Sequence, residues 1–433
     1  MPKKYPFTRF VLPNGLTLLH YKMDSVMSVF AALYVRVGAV YEKPSERGIS
    51  HFTEHMAFLG TKKYPSPLAL SKMAENIGAT YNGSTSKYST YYWVRLPYSN
   101  FEKGIDMLYE FAFRQLLEDK SLLEEKGVVL SEYNDFWHNP ESRFNHILFE
   151  RRFRKKAHPY SYRPLGIPKT INSFNKSDVL KWKNTYYNPK NMILVVTGNV
   201  DLGTLKSLVA KNFAKEIPSG KYGEPKFPEN YSNFLLYKHT DPRPQITFAL
   251  SFPAFGIKEA DRKRRLTLNT LNHIVGGGWA SRLFQRLREK ERFAYRIRSS
   301  RYYLNWMGEF SIYGSTPIEK LVPALKALKD EFSKLTNAGV TQKEIGLANN
   351  FLDANTLLQF DNPEAVAHFF GSQELDDEEI WFPEDWIREA HKITKSDLDR
   401  MAKGVIDYFR LNIGLLGNVP DKTVKEIEKI FNL

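Results

Sequence analysis

The chain contains no cysteine among its 433 residues. Disulfide bonds, thiolate nucleophiles and zinc or iron–sulfur sites with cysteine ligands are therefore excluded. A bound metal would need histidine, aspartate or glutamate as its ligands. The longest uninterrupted apolar run, Val29–Val35, is far shorter than the ~18 residues of a membrane span, so we expect no integral membrane segment.

Targeting signals are also missing from the first residues. The stretch Met1–Phe10 has two lysines but neither an apolar core nor a small-residue cleavage site, so it does not read as a secretory signal. It is not an amphipathic presequence rich in arginine and serine either. We therefore expect a cytoplasmic protein.

The charge is strongly positive, with 62 lysines and arginines against 48 aspartates and glutamates. A nucleic-acid binder is one interpretation. However, the basic residues are dispersed, and no helix-turn-helix, ribonucleoprotein signature or zinc finger is present. We favour a solvated basic surface without a nucleic-acid partner, and steep salt dependence of binding would reveal the alternative.

The length favours two domains, and the segment 216–230, with three prolines and two glycines, is the clearest linker. Short motifs recur on its two sides. Lys176-Ser177-Asp178 and Gly198-Asn199-Val200 return in the same order and at the same offset as Lys395-Ser396-Asp397 and Gly417-Asn418-Val419. We therefore predict two copies of one fold, in domains 1–215 and 231–433.

Each copy mixes strand-like and helical patterns. Leu16–Tyr21, Ser28–Val37 and Tyr88–Leu96 read as strands, whereas Ser45–Leu59 and Leu122–Trp137 have helical spacing. Strands that can pair as hairpins, interleaved with long helices, predict an α+β fold. We expect two homologous domains, each a mostly antiparallel sheet with helices packed on one face.

The pentapeptide His51-Phe52-Thr53-Glu54-His55 is the clearest chemical motif. On a helix, His51, Glu54 and His55 fall within an arc of about 100°. Two imidazoles one turn apart can reach one ion, with a carboxylate beside them, and zinc accepts such ligands. The pattern is an inverzincin signature. Two helix-surface histidines without a metal are the plain alternative.

A catalytic zinc site needs a third protein ligand, and the helix predicted over Leu122–Trp137 offers two candidates. Glu125 and Glu132 lie along the middle of its apolar stripe. Burial of both carboxylates would require a nearby cation or strong hydrogen-bond donors. The alternative is that both flank the stripe and stay hydrated.

With these residues, the sequence resembles the pitrilysin/insulinase family of zinc peptidases, in particular its two-domain branch that includes mitochondrial processing peptidase. That family has H-x-x-E-H and a second glutamate at the spacing that separates His55 from Glu132. The resemblance implies that His51, His55 and Glu132 bind one zinc ion, that Glu54 is the general base, and that Glu125 orients the ligands. The resemblance also places Asn82 at a substrate-contacting edge strand, although Gly83 stands where the family has alanine.

The second half lacks H-x-x-E-H but contains a glycine-rich patch, Gly276–Lys290. Read alone, it is a glycine turn, a Ser281 cap and an amphipathic helix; a phosphate cradle is disfavoured because no Walker lysine follows. By resemblance, Arg288 and Tyr295 match an arginine and a tyrosine that contact the substrate carbonyl and its oxyanion.

The resemblance implies a zinc metalloendopeptidase that hydrolyses extended or unfolded peptides inside a chamber. Relatives enclose the peptide between four such domains, so we expect a homodimer, with a heterodimer of related subunits as the variant. The alternative function is a catalytically silent scaffold or structural subunit of the same fold. Such members lose part of the motif, whereas this chain retains all of it.

Overall fold

A computed structural model of the chain describes residues 6–154, 158–217, 223–227, 231 and 234–432. The elements of the first half are β1 Phe7–Val11, β2 Thr17–Lys22, β3 Ser28–Val35, α1 Ile49–His55, α2 Pro67–Asn76, β4 Thr80–Thr85, β5 Thr90–Pro97, α3 Phe101–Phe113, α4 Asp119–His138, α5 Pro140–Arg151, α6 Pro168–Ser173, α7 Lys176–Tyr186, β6 Met192–Gly198 and α8 Leu202–Phe213.

The elements of the second half are β7 Leu235–His239, β8 Ile246–Ala254, α9 Arg262–Asn272, β9 Arg296–Leu304, β10 Met307–Thr316, α10 Ile318–Ala338, α11 Gln342–Leu358, α12 Pro363–Leu375, α13 Pro383–Ala390, α14 Lys395–Val405, β11 Asn412–Leu416 and α15 Asp421–Ile430. Two π-helical segments, His273–Gly277 and Phe284–Lys290, lie between α9 and β9. Within the described ranges, no helix combines the length and apolar composition needed to cross a bilayer.

The chain divides into two compact units. Unit 1 consists of Met1–Phe136, Pro159–Pro225 and Leu358–Ile380. Unit 2 consists of Trp137–His158, Lys226–Leu357 and Trp381–Leu433. Each unit thus includes one helical segment from the other half of the sequence, which the boundaries 1–215 and 231–433 do not anticipate. The predicted linker, 216–230, lies partly outside the described residues.

The two units contain sheets of matching topology. The six-stranded sheet of unit 1 has the order β1-β2-β6-β3-β5-β4, and the five-stranded sheet of unit 2 has the order β7-β11-β8-β10-β9. One pair in each sheet is parallel, β2 with β6 and β7 with β11, and the other pairs are antiparallel. Leaving out β1, the strands correspond one to one. The prediction of an α+β fold with two homologous, mostly antiparallel domains is confirmed.

The repeated tripeptides mark equivalent positions in this fold. In Asn175–Asp178 and in Thr394–Asp397, the aspartate accepts a hydrogen bond from the backbone N–H of the residue that caps the helix, at 3.0 and 3.1 Å. These capping boxes start α7 and α14. Gly198 ends β6, and Gly417 directly follows β11. The motifs recur because each copy needs the same helix start and the same strand end.

Each sheet carries helices on both faces, whereas the sequence predicted one helical face. In unit 1, α12 covers the second face: the Thr197 hydroxyl donates to the carbonyl of Pro363 at 2.6 Å, and the Phe7 and Phe370 rings lie 4.5 Å apart. This double cover explains why the central strand β6 is buried along its whole length.

In unit 2, α5 covers the equivalent face. Phe144 stacks on Tyr237, with ring centroids 6.0 Å apart. Arg152, which follows α5, forms an ion pair with Glu309 on β10 and donates to Ser251 on β8. An amphipathic helix pattern shows that one face is buried, but it does not identify the sheet that buries it.

Candidate metal centre and neighbouring residues

Helix α1 holds the histidine pair, and it is shorter than the predicted Ser45–Leu59. It begins at Ile49 because Gly48 has a left-handed backbone with φ of 96°. Since Gly48 has no side chain to cap the helix, the buried Glu42 carboxylate accepts hydrogen bonds from the backbone N–H groups of Gly48 and Ser50, at 2.8 and 3.0 Å. Desolvation raises the pKa of Glu42 to about 7 despite these bonds. The start of α1 is thereby fixed by a residue outside the helix.

The two imidazoles converge on one point. Nε2 of His51 and Nε2 of His55 lie 3.1 Å apart. Burial, and secondly the neighbouring His55, lower the pKa of His51 to about 3, so His51 stays neutral and retains a nitrogen lone pair. Two ring nitrogens that face each other in this way suit a shared cation.

Glu132 on α4 completes the group. Its Oε2 lies 3.5 Å from Nε2 of His51 and 3.7 Å from Nε2 of His55. In the part of the chain that the structure describes, this trio is the one set of three histidine or carboxylate residues whose ligand atoms all lie within 4.8 Å of one another. The sequence placed Glu125 and Glu132 alike on the apolar stripe, with hydration of both as the alternative. In the structure the Glu132 side chain is 43% exposed, against 11% for Glu125. One side of the trio is therefore accessible to solvent.

Glu125 lies behind the histidine pair and is buried. Its Oε1 is 2.6 Å from Nδ1 of His55, which fixes the imidazole with its proton on Nδ1 and leaves Nε2 free to bind a metal. Burial on its own would lower the pKa of His55. The hydrogen bond to Glu125 and the charges of the nearby carboxylates together outweigh burial, so the pKa is raised. Glu125 therefore orients one candidate ligand and holds its tautomer.

The side chain of Glu54, which lies between the histidines in sequence, contacts the edge strand β4. Its carboxylate accepts a hydrogen bond from the Thr85 hydroxyl at 2.7 Å, and burial raises its pKa. A Cβ on Gly83 would approach Oε1 of Glu54 to 2.5 Å, so glycine at this position leaves room for the carboxylate. The motif predicted Glu54, but it did not predict the contacts with Thr85 and Gly83.

Asn82 lies on β4 beside Gly83 and is exposed. Its Oδ1 accepts a hydrogen bond from the backbone N–H of Gly83 at 2.8 Å. Strand β4 pairs with β5 on one side and is the last strand of its sheet. The predicted edge-strand location of Asn82 therefore agrees with the structure, whereas its contact with substrate stays a prediction.

Unit 2 brings Arg288 and Tyr295 together. The Arg288 guanidinium carbon lies 5.6 Å from the centroid of the Tyr295 ring, and that ring is 63% exposed. Arg288 belongs to the π-helical segment Phe284–Lys290 rather than to the α-helix that the sequence suggested. Such π-helical turns occur frequently at functional sites.

Comparison with known proteins identifies matches to both halves. The sequence model of "Insulinase (Peptidase family M16)" matches residues 20–163, and that of "Peptidase M16 inactive domain" matches residues 173–352. An uncharacterised zinc protease from Rickettsia felis is 33% identical over 80% of this chain and 82% of its own length. An uncharacterised zinc protease from Bacillus subtilis is 26% identical over 95% of this chain and 99% of its own.

Solved structures share the fold. A protease from Helicobacter pylori superposes with a TM-score of 0.83 at 23% identity, over 96% of this chain and 100% of that one. The periplasmic protease PqqL from Escherichia coli superposes with a TM-score of 0.81 at 17% identity, over 100% of this chain but 51% of that chain.

Proposed function

The chain belongs to the M16 (insulinase) family of peptidases, and on that premise we propose that it is a zinc-dependent endopeptidase that hydrolyses extended or unfolded peptides. The observation that carries the proposal is the convergence of His51, His55 and Glu132 within 4.8 Å, with Glu54 on the same helix as the histidines. Fold alone would not support it, because one fold can serve unrelated functions.

The candidate ligands fit zinc. Two imidazole nitrogens and a carboxylate oxygen are the protein ligands of many catalytic zinc sites. The Glu125–His55 hydrogen bond and the neutral state of His51 each leave a nitrogen lone pair available. When bound, zinc supplies Lewis-acid chemistry that lowers the pKa of an attacking water toward neutrality.

Glu54 is the proposed general base. It takes a proton from the water whose oxygen bonds to the peptide carbonyl carbon, and it passes that proton to the amide nitrogen as the C–N bond breaks. Burial raises the pKa of the Glu54 carboxylate, which makes it a stronger proton acceptor than a carboxylate in water. Arg288 and Tyr295 would donate to the charged carbonyl oxygen of the tetrahedral state. An extended substrate would pair with the edge strand β4 near Asn82.

Replacement of the base tests the proposal. Glu54→Gln should retain the metal of the native protein, because a ligand is not removed, while losing cleavage by about 10²–10⁴-fold. Elemental analysis reports the metal, and mass spectrometry of a digested peptide library reports cleavage. Native protein that binds zinc but cleaves no peptide would instead favour the scaffold function. Equal activity of native protein and Glu54→Gln would reject Glu54 as the base.

A homodimer is the proposed assembly, and it rests on the family resemblance. This chain supplies two units and superposes on 51% of the longer protease PqqL, so two copies would match the length of that chain. Mixing inactive Glu54→Gln with inactive Arg288→Ala tests the idea. Recovered activity would show a site shared between chains, and no recovery after proven subunit exchange would show a site completed within one chain. Cytoplasmic localisation stays a prediction.

A further inference from the structure

Unit 2 contains a cavity of about 1050 Å³ on the sheet face that α5 covers in part. Its floor includes Ser311 and Tyr313 on β10, α5 provides one wall, and β9 provides the other. Arg288 and Tyr295 also line it. We call this cavity the arginine groove. It lies next to the two residues that the proposed mechanism uses to hold a peptide carbonyl.

Positive charge dominates the lining of the arginine groove. Two carboxylates, Glu141 and Glu309, face six arginines: Arg152, Arg243, Arg288, Arg296, Arg298 and Arg301. Protein surfaces usually intersperse both signs, so a concave surface with this excess attracts anionic ligands.

Some of these arginines already have partners. Arg152 pairs with Glu309, and Arg243 pairs with Glu141 at 3.1 Å and with Asp241 at 2.8 Å. These pairs neutralise both carboxylates of the groove. The remaining positive charge is therefore not balanced from within the lining.

Three arginines of the lining have no carboxylate partner among the described residues. Arg301 donates to the amide oxygen of Asn269, which leaves Arg296 and Arg298. Both side chains are exposed on β9. No carboxylate oxygen of the described residues lies within 4.0 Å of either guanidinium group, the distance that defines an ion pair. The guanidinium carbon of Arg298 lies 5.9 Å from the centroid of the Tyr313 ring. This contact restricts the orientation of the Arg298 side chain but occupies none of its hydrogen-bond donors. Two guanidinium groups therefore remain available for an incoming anion.

Their spacing defines the ligand. Ile297 and Ser299 point into the core, so Arg296 and Arg298 share the opposite face of β9. Residues two apart on a strand lie about 6.7 Å apart, and alternate side chains of an extended peptide have the same repeat. Carboxylates at positions i and i+2 of such a peptide match the two arginines, and each can form a bidentate pair.

We propose that the arginine groove binds acidic segments of the peptide substrate, with Arg296 and Arg298 recognising aspartate or glutamate side chains two residues apart. The proposal rests on the proposed peptidase function, which it extends to a substrate preference. A peptide with two carboxylates at this spacing matches the two available arginines, whereas a uniform polyanion such as nucleic acid would place further charges beside Arg152 and Arg243, which are already paired.

Binding in the inactive Glu54→Gln background tests the groove independently of catalysis. Three labelled peptides of equal length are compared by fluorescence anisotropy: one neutral, one with glutamates at i and i+2, and one with lysines there. The acidic peptide should bind best. The further change Arg296→Gln/Arg298→Gln should lower the acidic-to-neutral affinity ratio about tenfold, because it removes two charge-assisted contacts.

The matched control removes two exposed positive charges outside the groove, in Arg400→Gln/Lys403→Gln on α14. It should retain the native affinity ratio. An equal fall in both double variants would show an effect of net charge alone and would overturn the proposal. Equal binding of acidic and neutral peptides by the parent protein would overturn it too.

A charge reversal distinguishes a loss of specific contacts from a loss of affinity caused by misfolding. Arg298→Glu should raise the affinity for the lysine peptide relative to the acidic one, and a damaged fold would not produce that gain. A single-stranded oligonucleotide that displaces the acidic peptide at lower concentration than unlabelled peptide would identify a nucleic-acid groove and contradict the proposal. Selective acidic binding without any cleavage by the native protein would reject the peptidase function and leave the groove assignment standing.

Discussion

Strands β4 and β9 hold the same place in two sheets of the same order, but they carry different chemistry. β4 presents Gly83 and Thr85 to the Glu54 carboxylate. β9 presents Arg296 and Arg298 to an open groove. The backbone topology therefore sets where an edge strand lies, and a few side chains decide what it can bind.

The faces beside these edges differ in the same way. On the α12 face of unit 1, Phe30 stacks on Trp93 and Tyr34 stacks on Tyr91, with centroids 5.6 and 5.0 Å apart. On the equivalent face of unit 2, the arginine groove occupies the space. Aromatic packing closes one face, whereas the excess of like charge favours an open face that takes up a ligand.

Removal of a histidine should produce the largest difference between the two units. His51→Ala deletes a candidate ligand in unit 1, so we expect loss of bound metal and a fall in peptide cleavage of at least about 10³-fold. His391→Ala in unit 2 is the matched control, because this histidine is 48% exposed, lies 2.8 Å from Asp353 and does not belong to the candidate metal trio. Elemental analysis and peptide cleavage measure both. Normal metal content in His51→Ala would contradict the assignment.

The ion pairs that hold the two covering helices should contribute unequally to the free energy of unfolding. In unit 2, Arg152 and Glu309 are both buried, so Glu309→Gln leaves an unpaired buried charge and should cost about 3–5 kcal/mol. In unit 1, Arg9 pairs with Glu374 at 2.8 Å, but Arg9 is 47% exposed, so Glu374→Gln leaves a charge that water can solvate and should cost about 1 kcal/mol or less. Urea denaturation of both variants compares the free energies. Equal losses would show that burial does not govern these pairs.

Glu125→Gln should weaken the metal site without removing a ligand. The amide cannot hold the His55 proton on Nδ1 as the carboxylate does, so zinc affinity should fall about 10–100-fold. Competition with a chelator measures the affinity. Glu124→Gln on the same helix, where the side chain is 67% exposed, should leave it unchanged. A similar loss in both variants would point to a general effect on α4.

Gly83→Ala should have the smallest effect of the four. The added methyl group would press on the Glu54 carboxylate, which has some freedom to move, and we expect kcat to fall about tenfold with metal content unchanged. Gly346→Ala in α11 is the counterpart in unit 2, because an added Cβ there meets no atom within 4 Å. Its kcat should stay at the native value, and an unchanged kcat in Gly83→Ala would show that Glu54 adjusts freely.

The sequence predicted the parts of the molecule that depend on local patterns. H-x-x-E-H indicated the histidine pair, the family resemblance selected Glu132 as the third candidate ligand, and the recurring tripeptides indicated two copies of one fold. The length of α1 was overestimated at both ends, because Gly48 has a left-handed backbone and a turn follows His55, and helical spacing of side chains shows neither. Arg288 was predicted, but Arg296 and Arg298 were not, since alternating charges on a strand become a site only when a helix and a sheet enclose them.

Long-range arrangement was beyond the reach of the sequence patterns. Nothing in the pattern of α5 or α12 indicates that each packs on the sheet of the other half. The exposure of Glu132 was missed for a related reason. A helical wheel reports which residues share a face, but not how far along the helix that face stays covered.

Helices α5 and α12 each pack on the sheet of the other half, and this arrangement determines the order in which the protein can fold during synthesis. The ribosome makes α1, with its histidines, within the first 55 residues, but α12 begins at Pro363. Until then Phe7, Tyr34 and their neighbours lack the helix that shields them, and a nascent sheet with uncovered apolar surface is prone to aggregation. A gene divided at the linker would make fragments that each lack one covering helix. Each half is therefore completed only when the other half supplies its covering helix.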